Sequence, residues 1–228
     1  MVLVPGFWLG AESWKDVSEH LASAGVANTA LTLPGLEIGA TAPETIRLAD
    51  QVAAVHDAID RSGSEVVLVG HSGAGPICHT AAATRRHSIR RVIHVDTWPL
   101  PPGFSINPDL AGDAGVIPLP DWGAFEAEDL VDMTTPMRER LVREARPQPA
   151  AIAREEFPPA SEDRFDTPTT IICCEFSADQ LRGWSSTGEP RVGELTRMRD
   201  LSYVDLPTGH WPQFTKPAEL AAALVSVA

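Results

Sequence analysis

Short β-branched and aliphatic runs alternate with amphipathic stretches along the whole chain. Residues 2–4, 27–33, 65–69, 91–95, 169–174 and 202–206 read as strands. Between them, residues 11–24 read as a helix, with Trp14, Val17 and Leu21 on one face and Gly25 as the stop. Thr41-Ala42-Pro43-Glu44 has the form of a capping box, and Leu48, Val52, Val55 and Ile59 continue at helical spacing toward Ser62-Gly63. Residues 76–86 and 217–227 complete the helices. Strand and helix in alternation imply a mostly parallel sheet with helices on both faces, an α/β fold. The continuous apolar run 65–69 marks a central strand covered on both sides.

The rhythm lapses after residue 95, where some 70 residues rich in proline, acid and aromatic groups precede the next strand. A bare loop of that length is uncommon in a compact domain, so a small helical lid over about 97–166 is expected, with 126–145 as its best helix. The 228 residues fit one domain over 1–228, without internal repeat or linker.

Composition narrows the partners. Hydrophobic residues make up 43% and charged residues 21%, as in an ordinary globular protein. A net charge of −13 repels phosphate backbones and anionic lipid alike, which argues against nucleic acid and membrane surfaces. No apolar run approaches the roughly 18 residues of a spanning helix, and the N-terminus lacks the form of a signal peptide, so a cytoplasmic location is expected. Cys78, Cys173 and Cys174 lie in apolar stretches and read as buried thiols. Neither they nor the histidines have metal-ligand spacing, and no metal or cofactor is implied. Oligomeric state leaves no signal.

The segment Val66-Val67-Leu68-Val69-Gly70-His71-Ser72-Gly73-Ala74 carries the strongest chemical signal. A serine flanked at two residues on either side by small side chains, between a strand and a helix, fits a sharp turn that lifts its hydroxyl clear of the sheet. Ala74 stands where a second glycine is more usual.

With these residues in view, the chain resembles the α/β-hydrolase fold, closest in style to its small methylesterase and hydroxynitrile-lyase-like group. Besides the segment around Ser72, residues 4–14, 95–103 and 206–212 carry the likeness. The first resembles the oxyanion loop, with Pro5-Gly6 where a His-Gly pair is usual. The second resembles the entry to the lid, and Pro207-Thr208-Gly209-His210 the loop that presents a catalytic histidine.

The resemblance implies Ser72 as nucleophile and His210 as its general base, in the order serine, acid, histidine. An aspartate is expected soon after strand 169–174, yet Ser177 falls there. Asp96, at the end of the preceding strand, is preferred as the acid, with Asp179 as the alternative and Glu175 a third. The backbone N–H groups of Phe7 and Gly73 are the expected oxyanion donors. Trp8, His71, Trp98 and Trp211 are expected around a substrate pocket, with Phe104, Trp122, Phe125, Phe157 and Trp184 in or beside the lid. Glu126, Glu128 and Asp129 read as a solvated helix face.

The expected activity is hydrolysis of a carboxylic ester of a small hydrophobic substrate through an acyl-enzyme. Two alternatives stand beside it: a ligand-binding or receptor-like protein on the same scaffold, and a hydroxynitrile lyase. Lyase relatives place a lysine directly after the histidine, where this chain has Trp211.

Overall fold

The computed structural model describes residues 1–228. In chain order the strands are β1 (Val2–Val4), β2 (Thr29–Ala30), β3 (Val66–His71), β4 (Ile89–Val95), β5 (Val116–Ile117), β6 (Gln148–Pro149), β7 (Thr169–Cys173) and β8 (Leu201–Asp205). The helices are α1 (Lys15–Ser23), α2 (Leu48–Arg61), α3 (Ala74–Thr84), α4 (Thr135–Glu144), α5 (Ala150–Arg154), α6 (Ala178–Ser186), α7 (Pro212–Thr215) and α8 (Pro217–Val227). Six strands form one sheet in the order β2-β1-β3-β4-β7-β8, every neighbouring pair parallel.

Side-chain alternation sorts the central strands between two cores. Val2, Val4, Val66 and Leu68 face one side, where Val55 and Ile59 of α2 and Ile77 and Ala81 of α3 cover them. Leu3, Val67, Val69, Ile93 and Ile172 face the other, against Trp14, Val17 and Leu21 and against Leu220 and Leu224 of α8. Both faces are apolar, which is why the central runs showed no polar alternation. The order reverses beside β1, which pairs with β2 on one side and β3 on the other. The crevice at the carboxyl ends of β1 and β3 is therefore the switch point at which open α/β sheets bind ligands.

Three expected elements differ. The helix after Thr41 starts instead at Leu48: Ala42 adopts a left-handed φ of 54°, residues Pro43–Thr45 form one 3-10 turn, and Asp50 caps the helix by accepting from the Arg47 N–H at 2.8 Å. The strand expected over 27–33 is reduced to Thr29–Ala30 at the sheet edge. The helix expected over 126–145 covers only Thr135–Glu144. Residues 126–134 are withheld from it because the carbonyls of Asp129 and Val131 accept from the N–H groups of His210 (2.8 Å) and Gly209 (3.0 Å). A carbonyl bonded to another loop cannot close a helical turn.

Residues 97–166 lie over the carboxyl edge as short pieces: α4, α5 and an antiparallel ribbon of β5 with β6. Trp8 ties this segment to the loop after β1. Its indole N–H donates to the Ile117 carbonyl (3.1 Å), its backbone N–H donates to Gln148 (3.2 Å), and its carbonyl accepts from Arg146 (2.8 Å).

His79 on α3 and His94 on β4 are buried side by side with ring centroids 6.0 Å apart, and none of their four ring nitrogens has a hydrogen-bond partner. The adjacent Glu194 is committed to Arg164, at 2.7 and 3.1 Å. Burial pushes His79 down to about 4 and His94 well below the ordinary imidazole range. Burial likewise lowers His71 to about 3. Groups that stay neutral when folded but protonate when unfolded stabilise the fold above the unfolded value near 6.5, and that stability is lost as pH falls toward 4. Urea melts should therefore show the unfolding free energy falling by about 2 kcal/mol for each of His71 and His79 between pH 7 and pH 5. A stability that stays level over that interval would contradict the packing of these histidines as neutral groups.

Candidate active site

Three strands deliver the candidate residues by ending abruptly. Trp8, Ser72 and Asp96, in the loops that follow β1, β3 and β4, all hold left-handed backbones, with φ of 66°, 51° and 51°. Non-glycine residues adopt that conformation at a cost, so each must be held by its surroundings. The Ser72 N–H extends the ladder by donating to the Val95 carbonyl at 3.1 Å, and the Asp96 N–H donates to Ile172 at 2.8 Å. Small residues make the turn at Ser72 sterically feasible. A Cβ on Gly70 would lie 2.8 Å from the Ala74 carbonyl and 2.9 Å from the Gly75 Cα. One on Gly6 would lie 2.7 Å from the Ser72 Cβ, so only glycine lets the β1 loop approach this closely.

His210 reaches the same edge from the loop after β8. Its Nε2 stands 2.8 Å from the Ser72 hydroxyl and its Nδ1 2.7 Å from Asp96 Oδ2. The other oxygen of Asp96 accepts the backbone N–H groups of Cys174 (2.9 Å) and Glu175 (3.0 Å). Those donors fix the carboxylate, which accepts the His210 Nδ1–H and leaves Nε2 free to take a proton from serine. The alternative acid, Asp179, stands elsewhere: it is exposed on α6 and paired with Arg182 at 2.8 Å. The chain leaves β7 through Glu175 and turns into α6 at Ser177, carrying residue 179 away from the crevice.

Phe7 and Gly73 face each other across the loop. A Cβ on Gly73 would fall 2.5 Å from the Phe7 ring, and neither residue's backbone N–H donates to a protein acceptor. Trp8 and Trp98 line the cavity above Ser72, together with Phe125 and Leu100. His71 and Trp211 do not. His71 is buried behind the histidine loop, its Nε2–H donating to the His210 carbonyl at 2.6 Å while its Nδ1 accepts from Gln213 at 3.3 Å. Trp211 is buried and packs edge-on against Trp122 and Phe125. Both side chains brace the loop because backbone direction at residues 71 and 211 points them into the core while the neighbouring Ser72 and His210 point out.

The structure adds residues that periodicity misassigned. Asp129 is not on a solvated helix face but lines the cavity beside Glu175, its Oδ2 accepting the Glu126 N–H at 2.9 Å. Burial and the Glu175 carboxylate raise it to about 6. Glu175 also approaches His210 Nδ1 to 3.3 Å. Burial alone would lower His210, but the hydrogen bonds and charges of Asp96 and Glu175 outweigh it and hold the imidazole well above its ordinary range. Asp96, Glu175 and His210 also bring ligand-type atoms within 4.8 Å of one another. Both oxygens of Asp96 are filled by N–H donors, so the group suits a polarised histidine better than a metal ion.

A cavity of about 460 Å³ opens over these groups between the sheet edge and residues 97–129. A strand-end serine, a histidine and a buried carboxylate thus stand in a chain of hydrogen bonds at the carboxyl edge of a parallel sheet. The sequence matches the Alpha/beta hydrolase family over residues 1–223, and the chain belongs to that family. Comparison with curated proteins finds no match. Among solved structures, an extracellular alpha/beta-hydrolase from a Paenibacillus species, described as sharing structural and functional homology with tobacco salicylic acid binding protein 2, superposes with a TM-score of 0.79 at 17% identity, covering 100% of this chain and 98% of its own. An Arabidopsis methylesterase gives 0.77 at 17% identity, covering 99% and 96%. Polyneuridine aldehyde esterase gives 0.72 at 18% identity, covering 99% and 97%. At these identities the likeness is one of fold.

Replacing Glu175 by Gln removes one negative charge beside the imidazolium and should lower the midpoint at which His210 titrates. NMR of the His210 ring over a pH series measures it. A midpoint that does not move, or rises, would show that Glu175 does not act on His210.

Proposed function

We propose that the protein is a serine hydrolase that cleaves a carboxylic ester of a small hydrophobic substrate through an acyl-enzyme. The observation that carries this reading is the continuous hydrogen-bonded line from Ser72 through His210 to Asp96. The neutral form of His210, whose share grows as pH rises toward its raised midpoint, takes the hydroxyl proton at Nε2 as Oγ attacks the ester carbonyl, and Asp96 stabilises the imidazolium that forms. The unengaged N–H groups of Phe7 and Gly73 supply the donors for the tetrahedral oxyanion. Collapse expels the alcohol, which receives the proton from His210. Water, activated by the same histidine, then releases the acid and restores the serine. Residues 97–166 serve as the lid of a single domain, and their apolar wall of Trp98, Leu100 and Phe125 favours a hydrophobic acyl or alcohol group.

A receptor-like role gained its interest from the want of an acid, and the position of Asp96 favours turnover. Trp211, turned into the aromatic cluster behind His210, leaves no cation for lyase chemistry at that position. No helix is long and apolar enough to cross a membrane, and the three cysteines are free and buried, in keeping with a reducing cytoplasm.

With 4-nitrophenyl acetate, Ser72→Ala should abolish turnover. Asp96→Asn should lower kcat by about 10³–10⁴-fold, the scale set by losing the correct histidine tautomer. Asp179→Asn should stay within about twofold of wild type, as for a surface change remote from the site. A large loss on Asp179→Asn with a small one on Asp96→Asn would overturn the assignment of the acid, and undiminished turnover by Ser72→Ala would overturn the reaction.

A further inference from the structure

Arg191 is the one lysine or arginine that lines the cavity over Ser72. It sits in a single 3-10 turn, Pro190–Val192, whose Val192 is buried and whose start is closed by Glu189 accepting the Arg191 backbone N–H at 3.3 Å. Its Nη2 donates to the carbonyls of Ser105 (3.1 Å) and Ile106 (2.8 Å), which fixes the guanidinium on the lid. Nε and Nη1 have no protein acceptor and are not sealed from solvent. No carboxylate lies within ion-pair distance of it, although acidic side chains outnumber basic ones by 31 to 18. The more deeply buried Arg164, by contrast, is matched by Glu194 at 2.7 Å. A half-buried guanidinium that lines a ligand-sized cavity, anchored through Nη2, lying 5.8 Å from the Phe104 ring centroid and left with two donors without a protein acceptor, is poised for an acceptor that the chain does not supply.

The rest of the lining indicates where on a ligand that acceptor would sit. Asp96, Glu175 and Asp129 crowd the catalytic end, where a second anion would be repelled. Arg191 is anchored on the carbonyls of Ser105 and Ile106 and makes no hydrogen bond or ion pair with Ser72, Asp96 or His210, which bond to one another. Leu100, Ile106 and Leu110 line the cavity along with it, and Asn107 adds an amide. We propose that Arg191 is a specificity-determining residue, and that the preferred substrate is an ester bearing a carboxylate separated from the ester carbonyl by a short apolar spacer. This rests on the esterase reading and narrows its substrate class.

The test compares mono-4-nitrophenyl esters of adipic and suberic acids with neutral 4-nitrophenyl alkanoates of matching length. In wild type the ratio of kcat/KM, acid over neutral, should exceed one. It should fall about tenfold in Arg191→Gln, and less in Arg191→Lys, which keeps the charge but not the fork. In parallel, tryptophan fluorescence follows binding of monomethyl adipate, which carries a single carboxylate, to Ser72→Ala protein, and adding Arg191→Gln should weaken that binding about tenfold. Ester hydrolysis with no preference for the acids, equal losses on acid and neutral esters, or half-ester binding indifferent to residue 191 would each overturn the role of Arg191 while leaving the hydrolase in place. Half-ester binding that depends on Arg191 in a protein that hydrolyses no ester would support the site and defeat the esterase reading.

Discussion

The position of the His210 ring between two oxygens is the constraint on which the rest of the site depends. A serine hydroxyl is a poor nucleophile unless a base lies within hydrogen-bond reach, and an imidazole is a directed base only if its tautomer is fixed. Both conditions are met in one ring, 2.8 Å from Ser72 on one side and 2.7 Å from Asp96 on the other. The ring belongs to a loop more than a hundred residues away in sequence from either partner, so this alignment is a property of the tertiary structure.

Several layers maintain it. The parallel sheet brings the ends of β3 and β4 side by side, and the two left-handed residues there aim a hydroxyl and a carboxylate at one point. From below, buried neutral His71 holds the His210 carbonyl. From above, Asp129 and Val131 accept the N–H groups of the histidine loop, which ties residues 129–131 to that loop. Trp211 fills the space behind the ring with aromatic packing. The carbonyls that Asp129 and Val131 give to the histidine loop are ones a helix would otherwise use, which accounts for residues 126–134 standing outside α4. The two carboxylates beside Nδ1 favour the imidazolium, the charge state that the proposed reaction passes through.

What was legible in the sequence was local. The apolar run ending at Gly70-His71-Ser72 carries its own turn chemistry, and the sheet follows from the spacing of such runs. The partner of His210 was harder, because the choice between Asp96 and Asp179 depends on which way the chain leaves β7, and the Ser177 cap that turns it into α6 became informative only with that strand's end in place. Residues 126–134 have helical composition but contribute their carbonyls to residues 209 and 210, a competition that periodicity cannot register. Asp129, Glu175 and Arg191 come from three segments that have nothing in common except the cavity they line. His71, next to the outward-facing Ser72 at the end of β3, supports the histidine loop from within, and Trp211, in the loop after β8, packs into an aromatic cluster; neither orientation can be read from sequence adjacency.

The most direct measurement is the rate and position of modification by a fluorophosphonate, read by mass spectrometry of wild type and of His210→Gln. The account predicts a single adduct on the peptide bearing Ser72, formed rapidly in wild type and slowed by orders of magnitude without the imidazole. An adduct on any other residue, or labelling of Ser72 equally fast in the absence of His210, would contradict it.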